Sequence, residues 1–136
     1  MAYDFYPTVI LPCRRNLQDT TYDCGPASLK IVLETLGKTL GEKKLMQIAG
    51  TTPRHGTPPS GLAKVLKHLG IRHEVIPSGS IELLEKKIRA QNLCIVNYQA
   101  WGRSGGEFAS LDTGHYSVAF GYSPTHLYIA DPAKHK

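Results

Sequence analysis

Apolar side chains between positions 29 and 36 recur at helical spacing. They stand at i, i+3, i+4 and i+7, so one helix face carries Leu29, Val32, Leu33 and Leu36. Asp23 is a good N-cap, Pro26 is tolerated only within the first turn, and Gly37 ends the pattern. The sequence therefore predicts a helix that begins close to Cys24.

Three further helices are predicted in the first two thirds of the chain. The apolar residues from 62 to 69 repeat the same spacing and stop at Gly70, after a loop over 51–61 that is rich in Pro, Gly and Thr. A shorter helix is predicted over 42–49, closed by Gly50. The fourth covers 80–91, and its inward side chains are predicted to be Ile81, Leu84 and Ile88.

Other segments, most of them in the last third of the chain, have patterns that are typical of strands. Apolar runs predict strands over 8–11, 71–76 and 93–98, and residues 114–122 alternate with a period of two. A turn over 123–125 leads to a returning strand over 126–130. Helices followed by antiparallel strands indicate an α+β fold, with a helical N-terminal half packed on an antiparallel sheet. The length predicts a single domain over 1–136.

Charge and cysteine content exclude several classes of protein. The net charge of +5 favours acidic partners, but the basic residues are scattered and form no long run with interleaved aromatics, so we expect no nucleic-acid partner. No apolar stretch approaches a membrane span, and the N-terminus lacks the features of a signal peptide. Three widely spaced cysteines predict neither a zinc site nor a disulfide framework, and they favour the cytoplasm.

Cys24 is the first candidate for chemistry, because it stands on the first turn of the predicted helix. The unpaired N–H groups and the positive dipole end of a helix stabilise a thiolate there. Gly25 removes a side chain beside the sulfur, which allows a substrate carbonyl to approach closely. A lone helical cysteine is more often a small buried hydrophobe. Cys13 and Cys94, by contrast, are expected to be structural.

His115 and Asp131 are predicted to meet near that thiol. His115 begins one strand and Asp131 ends the next, and both are about equally far from a turn centred near 123. We therefore expect directly opposite residues and a carboxylate–imidazole hydrogen bond, with the acid holding the ring as in a triad. Gln18, six positions before Cys24, can donate to an oxyanion beside the Cys24 N–H. The role of Asp23 is fully explained as a helix cap.

These motifs resemble those of a known family. Gln-x5-Cys with Cys-Gly-Pro-Ala at a helix start, then Gly-His-Tyr and Asp-Pro, is similar to the bacteriocin-processing cysteine peptidases, papain-like domains that cleave leader peptides after a double glycine. The resemblance runs from about 18 to 132. It implies a papain-like fold, a peptide or protein substrate, no metal and no organic cofactor. The implied catalytic residues are Cys24, His115, Asp131 and Gln18.

Other features of the chain leave alternatives open. Members of that family are often fused to ABC transporters, so association with a transporter is open, and the double-glycine specificity does not follow from the motifs. The chain ends five residues after Asp131, where such domains usually continue, which is compatible with a C-terminal truncation. The loop over 100–112 is a candidate flap over the cleft. An acyltransferase or amidase, and a non-catalytic peptide-binding module, are the alternative functions.

Overall fold

The described part of the chain contains four helices and four strands. The structure is a computed structural model, and it describes residues 8–15, 23–98 and 115–133 of the 136-residue chain. The elements follow in the order β1 (Val9–Ile10), α1 (Cys24–Thr35), α2 (Glu42–Ala49), α3 (Pro59–His68), α4 (Ile81–Arg89), β2 (Cys94–Tyr98), β3 (His115–Tyr122) and β4 (Leu127–Ala130). The α+β class predicted from the sequence is confirmed.

Strand β3 is the centre of an antiparallel sheet. Strand β2 pairs with residues 115–119 of β3, and β1 pairs with residues 121–122. Strand β4 pairs with residues 118–122. Because a strand has only two edges, β1 and β2 lie end to end along one edge of β3 and β4 occupies the other.

A bulge in β3 changes which side chains share a face. The register between β3 and β4 shifts between Ala119 and Gly121, which leaves Phe120 as an extra residue. The side-chain alternation changes phase at this point, so Tyr122 packs with Ala119 and Ile88. The period-two pattern had placed Tyr122 on the face opposite Ala119, and that prediction was wrong because the pattern alone contains no sign of the bulge.

Helices α1, α2 and α3 build a core that includes Tyr116 of β3. Its fully buried members are aliphatic side chains, among them Leu29, Leu33, Leu45 and Val65. Each such side chain contributes roughly 1.5–3 kcal/mol when it leaves water. This core fixes α1 against β3, and it thereby fixes where the first turn of α1 lies.

Helix α4 packs on the sheet through a second cluster. Ser80 caps the helix, since its Oγ accepts a hydrogen bond of 3.1 Å from the backbone N–H of Leu83. Ile88 is fully buried against Ala119, whereas Ile81 is 57% exposed. The inward position predicted for Ile81 was wrong, because the first turn of α4 extends past the side chains that pack on the sheet.

Two segments in the middle of the chain differ from the prediction. Residues 71–76 form no strand, and Val75 and Ile76 are exposed. A β-branched run becomes a strand only when a neighbouring strand pairs with its backbone, and none of the ladders of the described residues includes this segment. Helix α3 begins at Pro59, inside the predicted loop, because proline is well suited to the first turn of a helix.

Candidate active site

Cys24 is the first residue of α1, as the sequence predicted. The backbone carbonyl of Asp23 accepts the first hydrogen bond of the helix, 2.9 Å from the N–H of Ala27. Cys24 is partly exposed at the start of the helix.

Asp23 does not cap α1 with its side chain. It stands at the N-cap position, but its carboxylate makes no capping hydrogen bond and the residue is fully buried. The sequence interpretation, in which capping fully explained Asp23, was therefore wrong.

Gly25 makes room for protein rather than for solvent. A Cβ atom built on Gly25 would lie 3.0 Å from Cβ of Thr57 and 3.3 Å from Cδ2 of Tyr116. Thr57 is held there by two hydrogen bonds, 2.6 Å between its Oγ1 and that of Thr51, and 2.8 Å from the Tyr116 hydroxyl to its carbonyl. The loop before α3 therefore buttresses the turn that carries Cys24.

His115 and Asp131 are brought together across β3 and the end of β4. Nε2 of His115 lies 2.7 Å from Oδ1 of Asp131, and the same oxygen accepts a 2.9 Å hydrogen bond from the backbone N–H of Ala133. His115 is 4% exposed. The hydrogen bond anticipated from the sequence is present, and a carboxylate held by its own backbone fixes the imidazole that it contacts.

The two residues meet diagonally and not directly opposite each other. Val118 pairs with Ala130, so the same register continued would place Asp131 opposite Ser117, two residues from His115. The predicted pairing was wrong by two residues because the turn is centred beyond 123, and the extra residue Phe120 shifts the register back by only one residue. Diagonal neighbours are still within reach of long side chains.

The imidazole of His115 also interacts with Cys24. Burial by itself lowers the pKa of His115, but the hydrogen bonds with Cys24 and Asp131 and the charges of both groups outweigh it, so the pKa is raised. Because Nε2 is engaged by Asp131, Nδ1 is the nitrogen left for sulfur. The raised pKa favours an imidazolium at His115.

Tyr98 is a neighbour of His115 that the sequence pattern did not identify. The two residues pair directly in the β2–β3 ladder, and their rings meet edge to face with centroids 6.0 Å apart. The Tyr98 hydroxyl lies 2.9 Å from Oγ of the fully buried Ser117. Only the register between β2 and β3 reveals this contact, and the long segment between those strands gives no sequence signal for it.

Two tyrosines near the thiol keep their protons. Burial raises the pKa of Tyr98, and the charges of Asp131 and Cys24 raise it further against the hydrogen bond with Ser117. Burial, followed by the charge of Cys24, raises the pKa of Tyr116 to about 12. Both hydroxyls are therefore neutral at physiological pH.

Two predicted features lie outside the described residues, namely Gln18 and the loop over 100–112. Among residues 8–15, 23–98 and 115–133, no group of three or more His, Cys, Asp or Glu side chains could hold a metal ion. None of the helices in those same ranges is long and apolar enough to cross a membrane. The donor set at the site is a thiol, an imidazole and one carboxylate.

The chain is similar to known proteins. The model of the Peptidase C39 family matches residues 14–136. An uncharacterized protein of Methanothermobacter marburgensis is 28% identical over 120 residues, which cover 85% of this chain and 69% of that protein.

Solved structures show the same fold. The peptidase domain of Streptococcus ComA, a bifunctional ABC transporter of a quorum-sensing pathway, is 26% identical with a TM-score of 0.67, over 92% of this chain and 79% of that one. A C39-like protein of Bacillus anthracis is 20% identical with a TM-score of 0.68, over 96% of this chain and 85% of that one.

Proposed function

Because the chain belongs to the peptidase C39 family, we propose that it cleaves peptide bonds with Cys24 as nucleophile, His115 as acid and base, and Asp131 as the group that orients His115. One observation carries this proposal. Nε2 of the His115 imidazole lies 2.7 Å from a carboxylate oxygen of Asp131, and interaction with the thiol at the start of α1 helps to raise the pKa of that imidazole. Acyl transfer requires a nucleophile, a base beside it and an acid that orients the base.

The first half of the reaction forms an acyl-enzyme. The Cys24 thiolate attacks the scissile carbonyl carbon, and the carbonyl oxygen takes up negative charge. As the carbon–nitrogen bond breaks, the imidazolium of His115 gives its proton to the leaving amine. The products of this step are the free amine, a thioester on Cys24 and a neutral imidazole.

The second half returns the enzyme to its resting state. The neutral His115 ring removes a proton from water, and the resulting hydroxide attacks the thioester carbonyl. The carbon–sulfur bond breaks, the carboxylic acid leaves, and the thiolate is again paired with an imidazolium. The hydrogen bond with Asp131 keeps the ring oriented through both proton transfers.

Gln18 is proposed as the second donor to the oxyanion, beside the backbone N–H of Cys24. The proposed substrate is a leader peptide with small residues before the scissile bond, as the double-glycine resemblance implies. A small side chain suits a first helical turn that Thr57 and Tyr116 already crowd. Three free cysteines support a reducing compartment, and we place the reaction in the cytoplasm.

The test compares two cysteine variants of the full chain. A fluorogenic peptide amide that ends in Gly-Gly before its leaving group is the substrate, and circular dichroism monitors the fold. Cys24→Ala should abolish release of the fluorophore and retain the wild-type spectrum. Cys13→Ala, which removes a thiol outside the site, should retain most of the activity. Full turnover by Cys24→Ala would refute the proposal.

A second measurement separates hydrolysis from transfer. Adding glycine amide to the same assay offers an amine that competes with water for the thioester. A peptidase should give the free acid as its main product. A predominant amide product would replace peptidase activity with acyl transfer on the same residues.

A further inference from the structure

Tyr98 is the aromatic neighbour of His115 on strand β2, and the proposed reaction does not use it. The two residues are paired across the ladder, which brings their side chains to the same face of the sheet. The planes of the two rings are inclined by 71°, in the edge-to-face geometry that aromatic pairs prefer. Tyr98 therefore touches the imidazole from the β2 side.

Asp131 touches the same imidazole from the β4 side. β2 and β4 occupy opposite edges of β3, so the ring of His115 lies between an aromatic ring and a carboxylate. A hydrogen bond through Nε2 allows the imidazole to rock about the bond. Contact on its other side removes much of this freedom.

The Tyr98 ring is itself held in place. Its hydroxyl lies 2.9 Å from Oγ of Ser117, a fully buried residue two positions along β3 from His115. His115 and Ser117 thus share a face, and Tyr98 contacts both of them. The field at its hydroxyl includes the charges of Asp131 and Cys24, which agrees with this position beside the reacting groups.

We propose that Tyr98 is a positioning residue, anchored by Ser117, that holds the His115 ring with Nε2 on Asp131 and its other nitrogen toward Cys24. This inference rests on the proposed function, in which the ring must face sulfur and carboxylate at once. Tyr98 contacts the base and not the scissile bond. Its loss should therefore affect the alignment of the imidazolium rather than the binding of peptide.

The experiment measures iodoacetamide alkylation of Cys24 in the full chain, peptide by peptide with mass spectrometry, at pH 6 and pH 9. The variants are Tyr98→Leu, Tyr98→Phe and Ser117→Ala. The matched control is Tyr128→Leu. It removes another ring–ring contact, the one between Tyr128 on β4 and Phe120 on β3. A thiol that has no imidazolium partner is almost entirely protonated at pH 6 and largely ionised at pH 9, so only the pH 6 rate should depend on the alignment of the ring.

Tyr98→Leu should slow alkylation at pH 6 by about tenfold and at pH 9 by less than about twofold. Tyr98→Phe keeps the ring and loses only its anchor, so the pH 6 rate should fall by about two- to threefold, and Ser117→Ala should behave in the same way. With the Gly-Gly peptide amide, kcat should fall in Tyr98→Leu while KM stays within about twofold. Tyr128→Leu should match the wild type in all three measurements.

The inference would be overturned if Tyr98→Leu and Tyr128→Leu slowed Cys24 alkylation equally at both pH values. It would also be overturned if neither variant slowed alkylation. If Tyr98→Leu does not fold, Tyr98→Phe and Ser117→Ala decide, and a wild-type ratio of pH 6 to pH 9 rates in both overturns it. The proposed function fails separately. In that case the wild-type protein releases no fluorophore. The ratio of the alkylation rates at pH 6 and pH 9 still tests whether Tyr98 positions His115.

Discussion

At the scale of single residues, the site depends on how one imidazole divides its two nitrogens. Nε2 of His115 binds Asp131, and the thiol of Cys24 also hydrogen-bonds the ring. Both partners favour the protonated ring, and together they outweigh burial, which opposes it. His115 therefore links folding stability to pH.

Asp131→Asn tests that linkage. The pKa of His115 is raised from its ordinary value of 6.5, so the folded chain binds this proton more tightly than the unfolded chain. The resulting stabilisation is complete below pH 6.5 and is lost as the pH rises through the raised pKa. Asp131→Asn should lower the free energy of unfolding by about 2 kcal/mol at pH 6 and by clearly less at pH 9, measured with urea. An equal loss at both pH values would contradict the assignment.

Gln18→Ala tests the oxyanion donor. Removing one such donor typically costs about 10²–10³ in kcat, because the charge develops only in the transition state. The rate of Cys24 alkylation, which forms no oxyanion, should change by less than about twofold. Parallel losses in turnover and alkylation would show that Gln18 acts on the thiol instead. Fluorogenic peptide kinetics and mass spectrometry provide the two measurements.

At the scale of elements, close packing between helices sets where the helical half stands. A Cβ atom built on Gly61 at the start of α3 would lie 2.0 Å from the backbone carbonyl oxygen of Ala49 at the end of α2. Backbone atoms cannot yield as a flexible side chain can. The contact between α2 and α3 therefore requires a glycine at this position.

Gly61→Ala should destabilise the protein by about 2 kcal/mol or more, because the backbones of α2 and α3 must separate. The matched control is Gly79→Ala, where nothing lies within 4 Å of the added Cβ. That variant should stay within about 0.5–1 kcal/mol of the wild type. Urea denaturation of both variants measures the difference. Comparable stabilities for the two would mean that α2 and α3 are not in close contact.

At the scale of the whole molecule, two of the three buried clusters of the described residues support the sheet from different helices. Leu29 and Leu33 of α1 pack with Tyr116, whereas Ile88 of α4 packs with Ala119 and Tyr122. Only the first cluster lies on the helix that carries Cys24. Substitutions that destabilise the two clusters equally should therefore affect the reactivity of Cys24 differently.

Leu29→Ala and Ile88→Ala provide that comparison. Each removes a fully buried aliphatic side chain and should cost about 2–5 kcal/mol in urea denaturation. Leu29→Ala loosens α1 against β3, so alkylation of Cys24 at pH 6 should slow by more than about threefold, whereas Ile88→Ala should leave it near the wild-type rate. Equal slowing in the two variants would mean that general stability, and not the placement of α1, governs the thiol.

Local patterns were sufficient for most helices and for the meeting of His115 and Asp131, whereas the catalytic roles of Cys24, His115 and Asp131 remain proposals. The helix start at Cys24 and the bounds of α2 followed from periodicity, Pro26 and Gly50, since these features act within one or two turns. The hydrogen bond between His115 and Asp131 followed from a hairpin, which is also local. The extent of one domain over 1–136 and the role of Gln18 remain predictions.

Tertiary structure alone decided the features that depend on register and packing. The bulge at Phe120, the diagonal approach of Asp131 and the pairing of Tyr98 with His115 arise where strands distant in sequence align, and no local pattern specifies that alignment. Likewise, Gly25 is crowded by Thr57, a residue more than thirty positions away. The sequence thus determined which chemical groups are present and on which elements, because propensity and periodicity are short-range. Their contacts were decided by long-range packing of the sheet and the helices.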